Sequence, residues 1–466
     1  MSPRKRAPRK KKPARRAKAE SSRRAKAGTT PRKKAAARKP ARAARTKRKR
    51  SAREPVGPAR AAGTAPRASR APRSPFASDL ARKTAIVGIG ATEFSKDSGR
   101  SELRLGCEAV LAALADAGLD PSEVDGYVNY TMDNNPSIEI NRSIGGGDLR
   151  FFSCIHYGGG AACGTVQQAA MAVATGVADV VVCYRAMNER SMQRFGAGVQ
   201  DRPPTPTTEN AHFGWYAPFG LLTPASWVAM SARRYMHEYG ATTEAFGHVS
   251  VACRKHAATN PAAWFYQRPI TLEDHQHSRW VVDPLRLLDC CQESDGAVAV
   301  VVTSAKRARD LRQKPALIAA AAQGAGREQQ MMTGYYAEKI SGLPEMGLVA
   351  RQLWDTAGIG PNDVQTAVIY DHFTPFVLTQ LEEFGFCGRG EAKDFVKGGR
   401  IELGGSLPIN PHGGQLGEAY IHGMNGIAEA VRQVRGTAVN QVPEVENVVV
   451  TAGTGVPTSG LILSAS

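Results

Sequence analysis

For its first 75 residues this 466-residue chain carries no aromatic side chain and almost no acid. Residues 1–80 hold 29 lysines and arginines against three acids, Glu20, Glu54 and Asp79, in a background of Ala, Pro and Ser. Such a stretch cannot bury enough apolar surface to offset the entropy of ordering, so disorder is expected. It lacks an apolar core segment, which excludes a secretory signal. Two readings of it stay open. Runs such as Arg9-Lys10-Lys11-Lys12 and Arg45-Thr46-Lys47-Arg48-Lys49-Arg50 would make sequence-independent, salt-sensitive contacts with nucleic acid. Alternatively the segment is a dispensable extension, including one from a misassigned start.

The whole-chain charge of +19 belongs to this tail; the remainder holds 32 basic and 39 acidic residues, a net of −7. No run approaches about 18 consecutive apolar residues, so no membrane span is expected. The eight cysteines lack paired metal-ligand spacing, and Cys290 and Cys291 are adjacent and poorly placed to bridge each other. Reduced thiols in a cytoplasmic protein are the expectation.

What is present is an internal repeat. Thr84–Gly90 reads as a strand, then Leu103, Cys107, Val110, Leu111 and Leu114 keep helical spacing up to Gly118. Met346, Val349, Ala350, Leu353 and Ala357 do the same up to Gly358. Ala117-Gly118-Leu119-x-Pro121-x-Glu123-Val124 matches Ala357-Gly358-Ile359-x-Pro361-x-Asp363-Val364 at an offset of 240. Downstream, an Ala-rich helix (165–175) leads into the strand Ala178–Cys183, and a helix through Ile427, Val431 and Val434 leads into the strand 446–451. Two fused α/β halves follow, spanning 81–308 and 309–466 after the 1–80 tail. Residues 186–292 interrupt the first half as an insertion expected to close over the site. Ala297–Thr303 closes that half as a strand.

The chemistry concentrates in two polar turns. Val368-Ile369-Tyr370-Asp371-His372-Phe373 leaves a β-branched strand, and Thr374 and Pro375 read as N-cap and first residue of a helix. That places Tyr370 and its neighbours at the carboxyl end of a strand facing a helix start, where α/β sheets bind ligands. The second turn runs from Asn410-Pro411-His412-Gly413-Gly414 through Tyr420-Ile421-His422-Gly423. Singly, a tyrosine at a strand end is more often a packing residue, and His372 is equally readable as a helix cap. The Gly158-Gly159-Gly160 run lacks the lysine and spacing of a phosphate loop. A wider turn with exposed amides, roomy enough for a bulky substrate, suits it better. Asp274-His275-Gln276-His277 has metal-ligand residue types, but a solvated loop is the plainer reading.

Across about 83–466 the chain resembles the thiolase superfamily, nearest its sterol-carrier-protein-type and lipid-transfer-protein branch. The resemblance rests on His256-Ala257-x-x-Asn260-Pro261, Pro284-Leu285-Arg286-Leu287-Leu288-Asp289-Cys290-Cys291, Ser294-Asp295-Gly296, Asn410-Pro411-x-Gly413-Gly414 and the repeat. It implies a five-layer αβαβα fold, a dimer, and acyl-CoA substrates with coenzyme A entering as part of the substrate and no permanently bound cofactor or metal. The departures carry the functional argument. The family's nucleophilic cysteine position falls on Gly159 and its second cysteine on Thr451. Its two histidines fall on Tyr370 and Tyr420.

Without a thiolate there is no acyl-enzyme. The YDHF and GEAYIHG contexts resemble bacterial steroid side-chain aldolase subunits. These cleave a 17-hydroxy steroid carboxyl-CoA to a ketosteroid and propionyl-CoA, in complex with a zinc-containing OB-fold acyl-CoA-associated protein. The resemblance implies Tyr370 and Tyr420 as acid and base. His372, Asn410, His412, Gly413, Gly159 and Gly455 are the candidates for support and oxyanion donation, and His372, His412 or His422 for lowering a tyrosine pKa. Two other functions stay open: a thiolase recruiting Cys154 or Cys163, and a non-catalytic acyl-CoA-binding subunit.

Overall fold

The repeated helix–glycine–strand unit folds the same way twice in this computed structural model, which describes residues 80–156, 158–192, 194, 213–327, 329, 335, 338–453 and 458–466. The tail expected to be disordered lies, through residue 79, outside the described residues. In chain order the strands are β1 (Thr84–Ala91), β2 (Gly126–Tyr130), β3 (Phe151–Ile155), β4 (Val180–Asn188), β5 (Trp280–Val282), β6 (Leu285–Arg286), β7 (Asp295–Ser304), β8 (Ala316–Gly324), β9 (Thr366–Val368), β10 (Asn447–Thr451) and β11 (Thr458–Ser464). The longer helices are α1 (Glu102–Ala117), α2 (Ala162–Ala174), α3 (Pro224–Tyr239), α4 (Thr243–Thr259), α5 (Pro344–Ala357), α6 (Thr374–Glu383) and α7 (Met424–Arg435).

Helices α1 and α5 both end on a left-handed glycine, Gly118 at φ 74° and Gly358 at φ 72°. Only glycine takes that conformation without a Cβ penalty, so the two residues stop the helices at equivalent points. Each is followed by a one-turn helix, Pro121–Glu123 or Pro361–Asp363, and then by β2 or β9.

Nine strands join in the order β3-β2-β4-β7-β1-β8-β11-β10-β9. The run β2-β4-β7-β1 in the first half repeats as β9-β10-β11-β8 in the second. The halves meet where β1 pairs with β8 over only two residue pairs. β3 lies parallel beside β2, and the second half keeps a trace of that fifth strand in the parallel bridge between Ala367 and Ile409.

Alternation along these strands builds three cores. Val298, Val300 and Val302 of β7 face the central core with α2 and α7, while Ala297, Ala299 and Val301 face α1. On β10, Val448 and Val450 face the same central core, while Val449 faces the core of α5 and α6. The period of two thus sends successive side chains to opposite faces. The layers run α1, first half-sheet, α2 with α7, second half-sheet, α5 with α6: the five-layer αβαβα arrangement. Each fully buried valine contributes about 1.5–3 kcal/mol, so the sandwiched strands hold the layers together.

The fold corrects two local expectations. Thr374 is not the N-cap of α6; Phe373 holds that position, and the Thr374 hydroxyl donates to Asp289 Oδ1 at 2.5 Å. His275 is not in a solvated loop: it is buried, with Nε2 2.8 Å from Asp289 Oδ1. No cluster of three or more ligating side chains suited to a metal occurs among the described residues. Of the insertion, residues 193 and 195–212 lie outside them. The described remainder packs α3 and α4 into the α5–α6 core and runs alongside the two polar turns. Trp264 N bonds Glu418 O at 3.0 Å, and Cys291 N bonds His372 O at 2.8 Å.

Candidate active site

The two polar turns meet at the edge of the central core, and the two tyrosines meet within them. Tyr370 leaves β9 and is buried; Tyr420 precedes α7 and is half-buried. The Tyr370 hydroxyl donates to the Tyr420 hydroxyl at 3.2 Å, with the rings edge-on. Burial raises both phenols well above the ordinary tyrosine value. Accepting that bond works against the rise on Tyr420, whereas donating it adds to the rise on Tyr370. Of the pair, negative charge is therefore disfavoured less on Tyr420 than on Tyr370.

Gly159, the position the resemblance assigns to the nucleophile, leaves the space that Tyr370 occupies. A Cβ built there would lie 1.7 Å from the Tyr370 hydroxyl oxygen and 2.3 Å from Cζ. Tyr370 thus fills the space a cysteine side chain would enter. The roomy turn expected at Gly158–Gly160 is corrected accordingly: the room is taken by a phenol. Gly453 and Gly423 wall the other sides, where a Cβ would come within 2.8 and 3.0 Å of the ring.

Thr451, at the second cysteine position, holds the same residue by its backbone. Its hydroxyl accepts from Tyr370 N at 2.8 Å and donates to Gln380 Oε1 at 2.5 Å. Gln380 Nε2 returns to Tyr370 O at 2.8 Å.

The supporting set divides. Asn410, at φ 48°, spends its side-chain amide on the backbone of Ile369: Oδ1 accepts from Ile369 N at 2.8 Å and Nδ2 donates to Ile369 O at 2.9 Å. It clasps the strand end and is not an oxyanion donor. Gly413 N donates to Asn410 O at 2.8 Å and its Cα faces Ala257, so it too is a packing residue. His412 is buried 3.8 Å from Glu418, away from the phenols. Gly455 lies outside the described residues. Gly159 remains beside the phenol pair at the turn leading into α2, with its carbonyl accepting from Gly453 N at 3.1 Å.

The idea that a histidine lowers a tyrosine pKa is also corrected. Burial pushes His372 and His412 down to about 3, and His422 well below its usual value. Neutral imidazoles cannot stabilise a phenolate by charge. His372 instead packs edge-on against Tyr370, with ring centres 4.8 Å apart. His422 Nδ1 accepts from Arg185 Nε at 3.1 Å, and Arg185 pairs with Asp133 at 3.0 Å.

Near the pair, Glu189 and Lys96 went unread in the sequence, while Ser294 and Cys291 were read there as motif residues. Glu189, directly after β4, is buried and lies beside Ser294, in the register that pairs Asn188 with Asp295. Ser294 Oγ in turn accepts from Tyr420 N at 3.2 Å. Lys96, partly buried, donates to Gln292 Oε1 at 3.1 Å and to Glu293 O at 2.5 Å; burial lowers it to about 8. The Cys291 thiol, raised by burial, lies in the same electrostatic neighbourhood. Lys96 and Glu189 sit in loops with no periodicity around them. Only the Ser294-Asp295-Gly296 motif pointed toward this corner.

A family model for the thiolase C-terminal domain-like family matches residues 326–464. The chain is 69% identical over 381 residues to a steroid side-chain-cleaving aldolase of Thermomonospora curvata, covering 82% of this chain and 97% of that protein. It is 68% identical over 389 residues to the 17-hydroxy-3-oxo-4-pregnene-20-carboxyl-CoA lyase of Mycobacterium tuberculosis, covering 82% and 100%. A solved Ltp2-ChsH2(DUF35) aldolase superposes with a TM-score of 0.80 at 67% identity, over 83% of this chain and 98% of that one.

Proposed function

The chain belongs to the thiolase superfamily, in the branch of the steroid side-chain-cleaving aldolases, and we propose that it is a CoA-thioester carbon–carbon lyase. The substrate is a β-hydroxy acyl-CoA, a 17-hydroxy steroid carboxyl-CoA thioester, cleaved by retro-aldol reaction to a 17-ketosteroid and propionyl-CoA. The observation that carries this reading is the Tyr370 hydroxyl standing where the Cβ of a nucleophilic residue at 159 would be, bonded to Tyr420.

The reaction moves one proton and breaks one carbon–carbon bond. Tyr420, entering the step as a phenolate to which the Tyr370 hydroxyl donates, takes the proton of the carbinol hydroxyl, and the carbinol carbon becomes a ketone as its bond to the α-carbon breaks. The released electron pair becomes a thioester enolate, stabilised by oriented hydrogen-bond donors until it is protonated. Tyr370 then delivers a proton to the α-carbon. Tyr420 then passes the proton it took to the Tyr370 oxygen along their hydrogen bond, so the two phenols return to their starting state without an outside acid. No covalent intermediate forms.

The assembly proposed is a homodimer bound to a zinc-containing OB-fold partner of the DUF35 type, with coenzyme A present only as part of the substrate. No helix among the described residues is long and apolar enough to cross a membrane, and a cytoplasmic site of action is proposed. The test incubates the full chain, with and without a DUF35-type partner, with the 17-hydroxy steroid carboxyl-CoA. Ketosteroid and propionyl-CoA in equal amounts support the lyase. A substrate-dependent mass increase on a cysteine would transfer the assignment to a thiolase, and binding without turnover to a carrier subunit.

A further inference from the structure

The mechanism just described uses two phenols whose proton affinities burial has raised, and it leaves unused the buried carboxyl beside them. Glu189 is 4% exposed, and its Oε2 has no hydrogen-bond partner among the described residues. An unpaired polar atom so deeply buried costs about 1–3 kcal/mol, which a fold tolerates readily only where the atom has work to do. Its position follows from the sheet: it comes directly after β4, whose Asn188 pairs with Asp295 of β7, and the hydroxyl of the neighbouring Ser294 accepts from the backbone of Tyr420. Its field reaches both phenols and the Cys291 thiol.

We propose that Glu189 is a positioning residue of the lyase, acting through the tyrosine pair as the group that holds the proton while the carbon–carbon bond breaks. The inference rests on the retro-aldol reading. As the carbinol proton moves to the Tyr420 oxygen, the phenol's own proton passes to Glu189 Oε2 through a bridging water. Tyr420 therefore need never stand as a free phenolate. After cleavage Tyr370 protonates the α-carbon, takes the Tyr420 proton in its place, and Glu189 returns its proton to Tyr420. Protons balance, the carboxyl ends ionised as it began, and no outside reactant is needed.

The surroundings suit this role. Burial and the Glu293 carboxylate raise Glu189 well above the ordinary carboxyl value, while Arg185 and Lys96 hold it back. A raised carboxyl narrows the gap to the phenol and makes the transfer less uphill. The charged and titratable groups acting on this corner are Arg185 from β4, Arg190 just beyond it, Lys96 from the loop after β1, Glu293 and Cys291 from the segment before β7, and Tyr370 and Tyr420 from the two polar turns.

The test uses the full chain with its partner and the steroid carboxyl-CoA. Glu189→Gln keeps the size of the side chain but cannot take a proton. Its kcat should fall by about 10²-fold or more while KM stays within threefold. The acidic limb of the wild-type kcat profile should vanish, and Glu189→Asp should recover part of the rate. A Gln variant with near wild-type kcat and an unchanged limb overturns the proposal. Lys96→Met provides a second readout on a partly exposed side chain: losing the cation raises the Glu189 proton affinity, so the limb should move to higher pH. A limb that stays fixed overturns the proposal even if Glu189→Gln fails to fold. Failure of the wild type to form ketone in the same assay would instead count against the lyase reading itself.

Discussion

Gly159→Ala adds one methyl group and should disable the enzyme. The new Cβ would stand 1.7 Å from the Tyr370 oxygen and 2.3 Å from Cζ, where ordinary contact needs about 3.5 Å. The ring must therefore shift by about 1.5–2 Å. It has nowhere to slide, because the backbones of Gly423 and Gly453 close the other faces. The 3.2 Å bond to Tyr420 is lost when the ring turns out. Forced repacking of this kind costs about 1–3 kcal/mol of stability, and misplacing one acid–base partner costs about 10²–10⁴-fold in kcat. The assay is ketosteroid formation under saturating substrate, with thermal unfolding run in parallel. Because the methyl group acts by displacing the Tyr370 hydroxyl, Gly159→Ala combined with Tyr370→Phe should be hardly slower than Tyr370→Phe alone. A Gly159→Ala enzyme within threefold of wild type, or a double variant with multiplied losses, would refute the geometry. Gly159→Cys meets the same clash and should bring no thiolase activity.

Tyr370→Phe and Tyr420→Phe should each lower turnover by about 10²-fold or more with substrate binding retained, measured by kcat against KM. Thr451→Val leaves Tyr370 N without its acceptor and should cost about 1–3 kcal/mol in chemical denaturation. Cys154→Ala and Cys163→Ala should leave turnover unchanged, with no acyl adduct by mass spectrometry. Cys163 is buried with its thiol raised by burial, and Cys154 lies exposed on β3. Burial raises Asp371 to about 6, above its unfolded value near 4. Its stabilising contribution is therefore full below about pH 4 and lost as pH rises through 6, a change of about 3 kcal/mol that Asp371→Asn should flatten in pH-dependent melts. Removing residues 1–75 should leave kcat unchanged and abolish any salt-sensitive DNA binding, read by fluorescence anisotropy.

Local signals fixed a good part of this protein before any fold was seen. The glycine stops at 118 and 358, the helical spacing of the residues before them and the valine-rich strands repeat at one offset, so the duplication could be read directly. The substitutions at Gly159, Thr451, Tyr370 and Tyr420 were legible only through the resemblance to the thiolases, which supplies the positions to compare. β3, β8 and β11 were missed, being short or alanine-rich runs without a clear period.

The sequence by itself determined the two α/β halves, and its resemblance to the thiolases implied the loss of the thiolate and the two tyrosines offered in its place. Those properties depend on residue identity and on periods of two and 3.6, which a chain carries wherever it folds. Only the tertiary structure decided that the Tyr370 ring fills the space at Gly159, because 211 residues separate them and nothing local reports a clash. It also decided that Asn410 clasps Ile369, that the three histidines are neutral, and that Glu189 and Lys96 stand beside the phenols. Burial, and with it proton affinity, is a property of what packs against a side chain, and those partners come from distant elements in both halves of the chain.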